Sequence, residues 1–146
     1  MDSYRIQITN RYVEEFMNYV LLIGRILFSL IFISSGLMGH FASMAGTTQY
    51  AEMSGVPMAS IAVIVSGIML LLGGLSVLLG YMAKIGSMLL FVFLIASAFM
   101  VHHFWTLTDP MMMQVQMAMF MKNISLAGAS LIIFFFGTGP LSLQKN

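Results

Sequence analysis

The chain has 146 residues, 60% of them hydrophobic and only 8% charged, with a formal net charge of +1 and a mean hydropathy of +0.96. That composition describes an integral membrane protein of one domain; it offers no basic patch and argues against a nucleic-acid partner. The absence of cysteine excludes disulfides, thiolate metal sites, iron-sulfur clusters and dithiol redox chemistry on this chain, so any electrons must travel through a bound cofactor or a partner.

Residues 1–15 form the only markedly polar stretch, a tail in which Thr9 or Asn10 is placed to cap a helix holding Glu14 and Glu15. Arg11 and Glu15 stand one helical turn apart, and Tyr12, Phe16 and Tyr19 suit the headgroup level of a bilayer. The first span, residues 17–39, is a nearly unbroken apolar run. About 20 such residues at ~1.5 Å each cross the ~30 Å hydrocarbon core. Inside it sits Arg25, a residue that costs about 2.5–3.5 kcal/mol near the middle of such a helix. Two roles stand open for it: an anchor whose stem carries the guanidinium to the headgroups, or an inward-facing group that binds a carboxylate, a phosphate or a polar head. Arg25, Ser29, Phe32, Gly36 and His40 fall on one helical stripe, and small and polar residues mark helix contacts in membranes. This stripe is expected to face protein. Arg25 and His40 lie about 22 Å apart along the axis and cannot share one small site.

Ser43-Met44-Ala45 before Gly46 has the look of a signal-peptide cleavage site. The apolar run exceeds the usual length of about 7–15 residues and contains Arg25, so an uncleaved anchor is expected. In the first loop, residues 46–54 read as a short helix stopped by Gly55, and Pro57 suits the first turn of the second span, residues 57–80. Ser66, Gly73 and Gly80 repeat at heptad spacing as a small-residue seam. The short turn carrying Lys84 makes an antiparallel hairpin with the third span, residues 85–104, which ends in the interfacial run His102-His103-Phe104-Trp105. Thr108-Asp109-Pro110 is a helix start. A helix from there to Gly137 is about 42 Å long, more than a bilayer core needs. A bend, or a first segment along the interface, is therefore expected before the fourth span at residues 119–137.

The expected architecture is all-α, an integral membrane four-helix bundle. Arg5, Arg11, Lys84 and Lys145 share one side while only Lys122 lies near the other, so the positive-inside rule places both termini in the cytoplasm. The outer face then holds His40, Tyr50, Glu52, His102, His103, Asp109 and Lys122.

Several stretches together resemble the DoxX family of small four-helix bacterial membrane proteins. They are Gly24-Arg25, Gly55-Val56-Pro57, Leu72-Gly73-Gly74-Leu75 through Leu79-Gly80, the His102-His103-Phe104-Trp105 end, Lys122-Asn123 leading to Ala127-Gly128, and Gly137-Thr138-Gly139-Pro140-Leu141-Ser142. The resemblance covers residues 20–142. It departs before the paired glycines, where many members carry an acid and this chain has Ile68-Met69-Leu70-Leu71-Leu72. It implies a bundle in the bacterial inner membrane and a link to redox chemistry, since related proteins form part of a thiosulfate:quinone oxidoreductase.

For chemistry, the candidate cofactor-binding residues are Arg25, His102, His103, Lys122 and Asn123, with His40, Tyr50, Glu52 and Asp109 as further outer-face polar candidates. Lys122-Asn123, a cation and an amide at the start of a span, suit a quinone carbonyl and its proton; the same pair also reads as a cap that positions the last helix. Glu52 and Asp109 are candidates to neutralise Lys122 or His40. No metal site is expected: His102 and His103 point about 100° apart on a helix, and no His-x-x-x-His or Glu-x-x-His spacing occurs. The methionines at 111, 112, 113, 117, 119 and 121 read as flexible packing rather than Cu(I) ligands. Three functions fit: a quinone-associated membrane subunit of an oxidoreductase, a non-catalytic scaffold or assembly factor for a protein partner, and a small-solute carrier. Besides the lipid bilayer, a protein partner or a homo-oligomer is expected.

Overall fold

The computed structural model describes the backbone of residues 2–144, and the side chains of residue 7 and of residues 10–144. Helix α1 (Asp2–Ser34) continues without a break into a π-helical segment, Ser35–Ala42; α2 (Met44–Met53) is short; α3 (Ala59–Leu79), α4 (Ala83–Val101) and α5 (Pro110–Phe136) complete the chain. No strand occurs among the described residues. Four stretches are long and apolar enough to cross a membrane: Asn10–Ala42, Ala59–Leu79, Ala83–Thr106 and Pro110–Phe136. The architecture is all-α with four membrane-spanning helices, and α2 forms part of the connection between the first two, packed on the π segment and α3.

Neither Thr9 nor Asn10 caps a helix, because α1 runs through both from Asp2. Nothing before Gly24 breaks the ladder, and a long apolar run propagates helix once it is nucleated. The 33 residues of α1 and the 8 of its π segment extend over about 60 Å at ~1.5 Å each. The part before Leu21 is therefore surplus to the bilayer core, and Tyr12, Phe16 and Tyr19 there are 61–67% exposed. The π segment holds Gly36 and Gly39, residues that weaken a regular α-ladder and allow the wider turn.

Three seams join the spans in order: α1 packs on α3, α3 on α4, and α4 on α5. Phe32, Leu70, Val77, Leu90, Leu94 and Ala127 form the main core, and Ala51, Ala59 and Val63 a smaller one beneath α2. In lipid these contacts rest on close packing, because hydrocarbon tails solvate apolar side chains as well as a neighbouring helix does. Glycines therefore set the distances. Gly74 meets Phe32 and Ile33 of α1, while Gly73 meets Leu90 and the Gly86 carbonyl of α4. A Cβ at Gly73 would stand 2.7 Å from Leu90 and 2.9 Å from that carbonyl oxygen. Gly73→Ala is expected to force α3 and α4 apart and cost about 1–3 kcal/mol. Gly128→Ala, where an added Cβ meets nothing within 4 Å, is the neutral control in a thermal-unfolding comparison.

The loops follow the expected chemistry with two changes. The short loop helix covers Met44–Met53 and ends at Gly55, whose φ is +79°. Pro57 lies before the α3 cap rather than inside the first turn, because Met58 takes a left-handed conformation and supplies the carbonyl for Ile61 and Ala62. Helix α5 starts as read, with Asp109 accepting from the Met112 N–H at 2.7 Å and Pro110 following. It then runs uninterrupted to Phe136, with no break near Met119. Its register explains the surplus length: Gln116 pairs with His102 and Asn123 with Ser97, so its first turns overshoot the end of α4.

Candidate functional site

Two polar constellations occupy opposite ends of the bundle. At one end, Arg25 is 6% exposed and its guanidinium holds the C-terminal segment. Nη1 donates to Ser142 Oγ at 2.6 Å and to the carbonyls of Thr138 and Pro140 at 3.4 Å, and Nη2 donates to the Leu141 carbonyl at 2.7 Å. The segment then returns to the α3–α4 turn, where Leu143 N–H meets the Leu79 carbonyl and Gln144 N–H the Gly80 carbonyl, both at 3.0 Å. Gln144 Oε1 accepts from the Met82 N–H at 2.9 Å. The inward face expected for Arg25, Ser29, Phe32 and Gly36 is correct, since all four are buried. The Arg25 Nη1 and Nη2 are engaged by this chain's own Ser142 hydroxyl and carbonyls, while its buried Nε has no partner among the described residues, and Arg25 lines no part of the cavity described next.

At the other end, residues of α1 and its π segment, α2, α3, α4 and α5 line a half-open cavity of about 440 Å³ whose walls are mainly apolar. It lies where α1 and α5, unlike the other neighbouring pairs, do not pack along their lengths. Phe32, Leu70, Phe93 and Leu126 line its inner part; His40, Thr47, Tyr50, His102, Lys122 and Asn123 line it as well. Five of the sequence candidates thus converge from four different elements.

Each is positioned by its own backbone. The π segment aims His40, whose Nδ1 lies 3.1 Å from the Ser35 carbonyl; a carbonyl only accepts, so Nδ1 carries the hydrogen. Helix α2 carries Tyr50, and the end of α4 carries His102. Gln116 of α5 bridges those two, accepting from His102 Nδ1 at 2.7 Å and donating to the Tyr50 hydroxyl at 3.0 Å. Asn123, 4% exposed, donates to Ser97 Oγ at 3.2 Å. Lys122 is exposed and reaches the Met119 sulfur at 3.5 Å, a weak contact that leaves its ammonium available.

Besides Arg25, three candidates fall outside. His103 packs its ring 6.3 Å from Trp105, at the edge of an aromatic cluster with Phe99, Phe104 and Phe120. Asp109 is occupied by its helix cap and neutralises neither Lys122 nor His40. Glu52 is exposed on α2 and is not part of this cavity's lining. The sequence reading missed Gln116 and Ser97. Gln116 stands three and seven residues from Met113 and Asn123, and a lone glutamine among methionines gives no signal of which side chains it meets.

A membrane four-helix protein with a half-open, polar-ended cavity between its helices is the class this architecture defines. The DoxX family model matches residues 20–103, and the chain belongs to the DoxX family. It is 33% identical over 127 residues to the inner membrane protein YphA of Escherichia coli K12, covering 87% of this chain and 89% of that one. It is 30% identical over 124 residues to the inner membrane protein YqjF of the same organism, covering 85% and 88%. No solved structure matches. With its four apolar helices, this is a multi-pass protein of the bacterial inner membrane.

Proposed function

We propose that the chain is a quinone-associated membrane subunit of an oxidoreductase, with the head of a lipid-soluble quinone held in the cavity. The observation that carries this reading is one space of about 440 Å³ with apolar walls and convergent polar groups, the usual form of a small-molecule site. A quinone head is a flat ring with two carbonyl acceptors. The Tyr50 hydroxyl and the Lys122 ammonium are donors to such oxygens, and Lys122 is also a proton source beside them. When bound, the quinone supplies two-electron, two-proton redox chemistry. The chain has no cysteine, so the electron donor's active site belongs on another subunit. Arg11 and Lys84 stand at the Arg25 end, which supports cytoplasmic termini and an outward-facing polar end of the cavity; the side chains of Arg5 and Lys145 lie outside the described residues.

Solvent extraction of gently purified protein, read by mass spectrometry, tests this. Near-stoichiometric quinone is expected, falling several-fold in Lys122→Ala. Its absence, with a reproducible protein partner in the same preparation, favours the scaffold reading. One observation speaks for that second reading: the exposed aromatic residues on the first half of α1 offer a partner-facing surface beyond the packed bundle.

A further inference from the structure

We infer that His40 is the cavity's hydroxyl acceptor, and that the head it recognises carries an O–H donor: a phenol, or the hydroquinone form in preference to the quinone. This rests on the reading that the cavity is a ligand site.

The Ser35 carbonyl, 3.1 Å from His40 Nδ1, fixes the hydrogen on that nitrogen. In the neutral ring Nε2 then carries a lone pair and can only accept. No described residue donates to it. The side chain packs against two neighbours. Gly67 leaves room for it, since a Cβ there would stand 2.9 Å from His40 Cβ, and Phe93 meets the ring edge-on at 6.2 Å. The π turn is what brings Ser35 and His40, five residues apart, to hydrogen-bonding distance.

Two other polar groups on the same lining are donors. The Tyr50 oxygen accepts from Gln116, which leaves its O–H free, and Lys122 only donates. A carbonyl oxygen satisfies these donors but offers nothing to Nε2. A hydroxyl oxygen accepts from the same donors and also donates to His40. The reduced head therefore makes one more hydrogen bond, and the oxidised head leaves the Nε2 acceptor without a partner on the ligand. The expected preference is about tenfold in Kd.

The test uses the full chain in detergent micelles and two stable probes, para-octylphenol and its methyl ether, with a short-tailed hydroquinone and its quinone compared anaerobically. About tenfold tighter binding of the phenol and of the hydroquinone, collapsing towards parity in His40→Leu and restored in His40→Gln, supports the assignment. Equal binding of the paired probes to the unmodified protein overturns it while leaving the cavity reading intact. So does a preference that survives in His40→Leu. If no probe binds, both the assignment and the cavity reading fall. The comparison on the unmodified protein decides the matter even where a variant does not fold.

Discussion

Replacing Arg25 with alanine is expected to release the C-terminal segment without emptying the cavity. Two short charge-assisted bonds, to Ser142 Oγ at 2.6 Å and the Leu141 carbonyl at 2.7 Å, carry most of the hold. Bonds to a charged group contribute about 1.5–3 kcal/mol each. Because the freed carbonyls regain water at the bundle's end, a net loss of about 2–4 kcal/mol is expected. Arg25→Lys should recover only part of it, since an ammonium is a point donor where the guanidinium is a fork. Hydrogen–deuterium exchange at residues 138–144 is the direct measurement. It should rise by about tenfold or more as the segment opens, alongside a lower thermal midpoint, while extractable ligand stays constant. The converse, ligand lost with exchange unchanged, would return Arg25 to the binding site and refute its assignment as the clamp.

Ser66→Phe is expected to have the opposite signature. Ser66 lines the cavity, and its hydroxyl donates only to the Val63 carbonyl of its own helix at 3.1 Å. No bond between helices is lost on substitution. The phenyl ring occupies space that a ligand would need, so extractable ligand should fall by about tenfold or more. Stability should hold or rise slightly, because filling a void restores packing contacts. Ile68→Phe, two residues on at a position 45% exposed to the surroundings, is the control and should retain its ligand. If Ser66→Phe retains it too, the ligand binds elsewhere.

The spans were legible because a bilayer imposes a simple demand: about 20 apolar residues with every backbone group paired internally. The buried stripe through Arg25, Ser29 and Phe32 was legible for the same local reason, as helical periodicity places small and polar residues on one side. Candidate polar residues were nameable one by one, since an ionisable or amide group in an apolar chain stands out. Their grouping was not. Lys122 and Asn123 join His40 and Tyr50 only because α5 pairs with α4 in a register set by Asn123 with Ser97 and Gln116 with His102.

Sequence by itself therefore determined that this is an all-helical membrane chain with four spans, and which face of the first span turns inward; the last helix, expected to span from residue 119, starts instead at Pro110. Tertiary structure alone decided that Arg25 clamps the C-terminal segment, that a π turn aims His40, and that a cavity remains between α1 and α5. The division has a physical cause. Helix formation and lipid solvation act on near neighbours in the chain, whereas the partners of Arg25 lie 113 to 117 residues away. Such meetings depend on interhelical distances set by glycines such as Gly67 and Gly73, and no local pattern encodes those.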